Sequence, residues 1–90
     1  MSVKEAIANR KPEVTVTVPE LGEVTIRRLS VREYLALPEG KGYGAALIKT
    51  CVVEEGKPVF ETVAEVEALD AGMVFALASA CKKANTLSAE

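Results

Sequence analysis

Residues 43–65 read YGAALIKTCVV, then EEGKPVF, then ETVAE. The first piece predicts an apolar helix from Tyr43 to about Val53. Leu47 and Cys51 share one line at i, i+4, Ile48 and Val52 share the next, and Lys49 is the only charge. Glu54-Glu-Gly-Lys-Pro58 reads as a turn with Gly56 as its flexible residue. Val59-Phe60 reads as extended and directed into the core. Thr62-Val-Ala-Glu65 has the spacing of a capping box, in which a hydroxyl accepts from the helix start and a carboxylate reaches back. It opens a short helix to about Leu69. A chain arranged this way devotes its apolar residues to packing.

The same reading extends toward the N-terminus. Ser2-Val-Lys-Glu5 is another capping box and predicts a short helix to about Asn9, ended by Pro12. In Glu13-Val-Thr-Val-Thr-Val18, Val14, Val16 and Val18 fall on one face and Thr15 and Thr17 on the other, the period of a half-buried strand. Pro19-Glu-Leu-Gly22 is a turn, and Glu23 to Leu29 completes a hairpin. A lone hairpin is marginal in water, so its valine face must lie on helices. Ser30-Val-Arg-Glu33 is a further capping box for a helix through about Leu37, and Pro38-Glu-Gly-Lys-Gly42 breaks it. Beyond residue 65, Asp70 caps a last helix from Ala71 to about Asn85. Lys82 and Lys83 lie in its final turns, where cations suit the negative dipole end.

These elements define an α+β fold: an N-terminal β-hairpin packed on a small bundle of three to four helices. Ninety residues make a single domain, 1–90. Residues 1–12 form a loose N-terminal segment, 13–29 the hairpin and 30–87 the helical part. Trp is absent and Tyr and Phe number two each, so the core is expected to be Val, Leu, Ile and Ala. The net charge of −2 gives no global field to attract nucleic acid or an anionic membrane. The N-terminal residues have no apolar run of signal-peptide type, and Ala71 to Cys81 is too short to span a bilayer. A soluble, reduced, cytoplasmic protein with no membrane contact is the expectation.

Candidate chemistry is sparse. The chain has no histidine, which removes the usual general base, the usual zinc nitrogen and any Ser-His or Cys-His pair. Cys51 and Cys81 sit among apolar neighbours and read as buried free thiols, with a disulfide between them as the alternative. No CxxC or calcium-loop spacing occurs, so neither metal nor cofactor is expected, and no residue is assigned a catalytic role. GKGYG at 40–44 lacks the phosphate-loop pattern and reads as a linker. Arg27, Arg28 and Arg32 are interspersed with Glu23 and Glu33, so a nucleic-acid-binding role through them is a weak alternative.

AGMVFALASAC, residues 71–81, is uncharged all the way around. An amphipathic surface helix keeps one polar face. This segment is therefore either the central core helix or a contact face for a partner or for self-association. The candidate partner-binding residues are Met73, Val74, Phe75 and Leu77, joined by Tyr34 and Leu35.

Three pieces occur in a particular order: VTIRRLSVREYL at 24–35; AALI followed by CVVEEGKPVF within 45–60; and VAEVEAL at 63–69 before an alanine-rich helix ending in KKANTL at 82–87. Together they resemble the tail assembly chaperones of long-tailed bacteriophages and prophages. The resemblance covers about Val14 to Leu87. It implies a non-enzymatic protein of the bacterial host cytoplasm that holds the long helical tape-measure protein, aids recruitment of tail-tube protein, and is absent from the mature virion. A structural virion subunit, at the head–tail joint or associated with the tube, is the competing reading.

Overall fold

The computed structural model describes residues 2–86. Helix α1 (Val3–Ala8) precedes strands β1 (Glu13–Val18) and β2 (Gly22–Arg27). Helix α2 (Val31–Leu35) and a 3-10 turn at Gly40–Gly42 lead into α3 (Tyr43–Cys51). Strands β3 (Val52–Glu54) and β4 (Lys57–Pro58) follow, then α4 (Val63–Glu67) and α5 (Ala71–Ala84). The sheet is antiparallel throughout, in the order β1-β2-β3-β4. The N-terminal hairpin packs on helices, and the fold is α+β. No helix among the described residues is long and apolar enough to cross a membrane. Leu87, the last residue of the helical part in the sequence reading, lies outside the described residues.

The hairpin register follows the predicted alternation. Val14 pairs with Ile26 and Val16 with Val24 across the sheet, and these side chains pack on the helices together with buried Val18. The connection at 19–21 turns on Glu20 and Gly22, both at positive φ. Each predicted capping box supplies its hydroxyl: Ser2, Ser30 and Thr62 accept from the backbone N–H three residues on. Asp70 does the same for Met73 at the start of α5. Helix α1 forms as its cap predicts, yet none of its residues is buried.

One boundary is corrected. The apolar run after Tyr43 was expected to stay helical to about Val53, but α3 stops at Cys51 and Val52 and Val53 join the sheet. In a helix the two would point in different directions about the axis, and Val53 would face away from Ile48. In a strand, neighbours point to opposite faces, and both valines are 4% exposed. β-Branched side chains suit that placement. The strand adds a ladder beside Ile26 and Thr25 and closes on β4 through Glu55-Gly56. Both loop residues have positive φ, as a two-residue hairpin turn demands. Pro58 is tolerated at the far edge, where its missing N–H is no loss. The following segment is only partly inward: Phe60 packs on the core, whereas Val59 is largely exposed.

The core lies between the sheet and helices α3, α4 and α5. Ile26, Leu47, Ile48, Cys51, Val66, Leu77 and Cys81 form its centre. Among the described residues no polar or charged side chain is buried. The end of α5 is stitched to the junction between β2 and α2. The Asn85 carboxamide oxygen accepts from Leu29 N–H at 2.7 Å, and its nitrogen donates to the Cys81 carbonyl at 3.0 Å and faces Cys51 Sγ at 3.7 Å. Arg28 Nε donates to the Ala84 carbonyl at 3.2 Å, and its Nη1 donates to the Lys11 carbonyl at 2.7 Å. Four separate segments are thus held by two side chains.

Asn85→Ala strands the Leu29 N–H and frees the end of α5. Its expected cost is about 1–3 kcal/mol, the usual penalty for an orphaned polar group, read from chemical denaturation. Glu55→Asn should raise stability by about 0.5–1 kcal/mol, because asparagine tolerates the left-handed backbone that glutamate resists. The same denaturation experiment, with an unchanged m value, checks it.

Candidate interaction face

Helix α2 is short and has no buried residue, so its position depends on polar ties. Ser30 Oγ accepts from Glu33 N–H, and Glu33 Oε1 accepts in return from Ser30 N–H at 3.0 Å. The same carboxylate takes both ends of the Arg27 guanidinium, at 2.7 and 3.1 Å. Glu33 therefore fastens the start of α2 to the end of β2. The Arg27 hydrogen bonds, aided by the Ser30 N–H, hold the Glu33 carboxyl down to about 2 from an ordinary 4.5.

Held this way, α2 presents Tyr34 edge-on to Tyr43, with ring centroids 6.4 Å apart. The ammonium of Lys82, from α5, lies 5.7 Å from the Tyr43 ring, a cation–π distance. Two shallow grooves meet at Tyr43 and Lys82. One, about 390 Å³, runs beside Val31 and Tyr34. The other, about 570 Å³, runs along α5 past Val74, Phe75 and Ala78. Phe75 is 72% exposed and Leu35 74%.

Of the residues predicted to meet a partner, Tyr34, Val74 and Phe75 border these joined grooves, and Leu35 lines neither but is exposed on α2. Nor does Met73 border them: it lies half-buried on another flank of α5, beside Pro19, Glu20 and Ala76. Leu77 differs from that expectation of an exposed contact residue: it is 2% exposed and belongs to the core, because its turn of α5 faces the sheet. Sequence reasoning missed Val31, 75% exposed, and Tyr43. The i, i+4 pairing of Val31 with Leu35 on a capped helix was the available signal for the first. Tyr43 was read only as the start of a helix.

None of the four aromatic side chains is buried: Phe60 and Tyr43 are half-buried, and Tyr34 and Phe75 are exposed. The other candidate chemistry is occupied. Cys51 and Cys81 are free, fully buried thiols. Proximity to Cys51 and burial push the Cys81 thiol well up, so it stays protonated. Arg27 is paired with Glu33 and Arg28 with backbone carbonyls. Among the described residues, no group of three His, Cys, Asp or Glu side chains is placed to hold a metal ion. Comparison with family models, with curated proteins and with solved structures finds no match.

A depressed carboxyl stabilises the fold fully while it is ionised in both states, and progressively less once the unfolded chain takes up the proton. The Glu33 contribution is therefore complete above pH 4.5 and lost as pH falls toward about 2. Thermal unfolding of the native chain against Glu33→Gln should show a stability gap that is constant above that window and narrows within it. A gap unchanged throughout the window would mean that the pair does not set the position of α2.

Proposed function

We propose that this chain is a tail assembly chaperone of a long-tailed phage or prophage. In this reading it works in the bacterial host cytoplasm without catalysis, holds helical segments of the tape-measure protein, aids recruitment of tail-tube protein, and leaves before the virion is complete. The observation that carries the reading is the placement of the aromatic rings. A domain whose core is built from aliphatic side chains keeps Tyr34, Tyr43 and Phe75 together at its surface. Aromatic residues are enriched where proteins touch. The joined grooves, with Val31 on their rim, offer anchors for an amphipathic helix laid across them. The order of sequence motifs described above supports the same assignment independently. The lack of histidine and the burial of both thiols favour contact over chemistry.

Co-expression with the product of a downstream coiled-coil-rich reading frame tests the reading. The native chain should keep that product soluble and co-purify with it. Phe75→Asp should abolish co-purification while changing stability by less than about 0.5 kcal/mol, since the ring is exposed. Val3→Asp, on α1, should change neither. Capture that survives Phe75→Asp combined with Tyr34→Asp would overturn the proposal.

A further inference from the structure

A second surface, apart from the aromatic face, lies along the free edge of the sheet. Strand β1 pairs only with β2, so its other side is unpaired. The hydrogen-bond phase is fixed by Arg28 N–H, which donates to the Pro12 carbonyl at 2.8 Å. Bonded and non-bonded pairs alternate along an antiparallel ladder. Val14, Val16 and Val18 therefore exchange bonds with β2, and Glu13, Thr15 and Thr17 direct their N–H and C=O groups outward. The opposite edge, β4, is two residues long and ends in proline. β1 has six residues with no proline, glycine or lysine to blunt it. Unprotected strands of this composition are prone to pair with another strand.

Charge gives this edge a preference. A groove of about 1040 Å³ runs along residues 14–17 and over the outer side of α5, and Arg10, Arg28, Lys82 and Lys83 line it without a carboxylate. The chain as a whole is acidic, so this local excess of cations is set against its net charge of −2. Consecutive residues of one strand line the groove, which places it alongside the strand edge and not over one face of the sheet.

We propose that the β1 edge is a strand-addition site for an acidic, extended peptide segment of a partner protein. The outward groups of Glu13, Thr15 and Thr17 supply the main-chain ladder. Arg10 and Lys83, flanking it, select carboxylates on the added strand. A second copy of the chain fits less well. Pairing two β1 edges brings both sets of cations together, with only Glu13 of each chain to offset them. Nucleic acid also fits less well. The Arg28 guanidinium already serves two carbonyls and the Lys82 ammonium faces Tyr43, which leaves too few cations for the several phosphate contacts such binding needs.

The test uses the full chain and a synthetic peptide of about six residues, the usual strand length, alternating Glu with Val or Thr. Amide exchange followed by NMR should slow at Thr15 and Thr17 by about tenfold or more when the peptide saturates the site. Lys83→Glu should weaken binding on the order of fivefold, and added salt should weaken it further. Thr15→Pro should abolish it without unfolding the sheet, because that N–H makes no bond to β2. If Thr15→Pro does not fold, the amide pattern and Lys83→Glu still decide. Three results would overturn the proposal: no protection at Thr15 and Thr17 up to about 1 mM peptide, a concentration corresponding to only about −4 kcal/mol of binding; protection that rises with protein concentration alone, which indicates self-pairing; or displacement of the peptide by oligothymidine, which indicates a phosphate site.

Discussion

Ile48 and Cys51 on α3 are fully enclosed in one cluster with Ile26 of the sheet, Val66 of α4 and Cys81 of α5. This junction fixes the other elements. Helix α3 must end where its buried line ends, so the chain can cross directly into β3 beside β2. α5 must lie against both α3 and the hairpin, and Asn85 and Arg28 lock its end to the start of the α2 segment. Burial of each large aliphatic side chain contributes about 1.5–3 kcal/mol, more than any surface ion pair in the molecule can. The polar ties therefore choose positions for elements that the apolar junction already holds.

Because that junction is filled by aliphatic and thiol side chains, the rings remain outside it. Tyr43 begins α3 at the rim, Tyr34 reaches it from a helix with no buried residue, and Phe75 projects from the far side of α5. The arrangement joins two kinds of surface to one core: an aromatic face beside α2 and an open strand edge beside the end of α5. Lys82 stands between them, lining the basic groove while its ammonium faces the Tyr43 ring.

Much of this fold was legible locally. The alternation of Val14, Val16 and Val18 gave the first strand and its inward face. Ser2, Ser30, Thr62 and Asp70 marked the helix starts because capping depends on residues only three apart. The third strand was not legible. Val52 continues the helical line of Ile48 as well as it fits a strand, and only pairing with Ile26, distant in sequence, decides between them. The face was partly legible. The uncharged stretch 71–81 of α5 announced surplus apolar surface, but not which side of the helix the sheet would cover, so Leu77 and Phe75 looked alike from sequence and have opposite environments. The basic groove joins Arg10, Arg28 and Lys83 from three separate segments, a grouping that topology alone creates.

In the proposed function this protein holds a partner helix across Tyr34, Tyr43 and Phe75. Amide hydrogen exchange of the chain co-expressed with the proposed tape-measure partner, against the free chain, tests it most directly. The account predicts added protection concentrated at 31–35, 43–44 and 74–78, with α1 unchanged. A complex that leaves those segments as exchangeable as in the free chain, and protects another region instead, would contradict it.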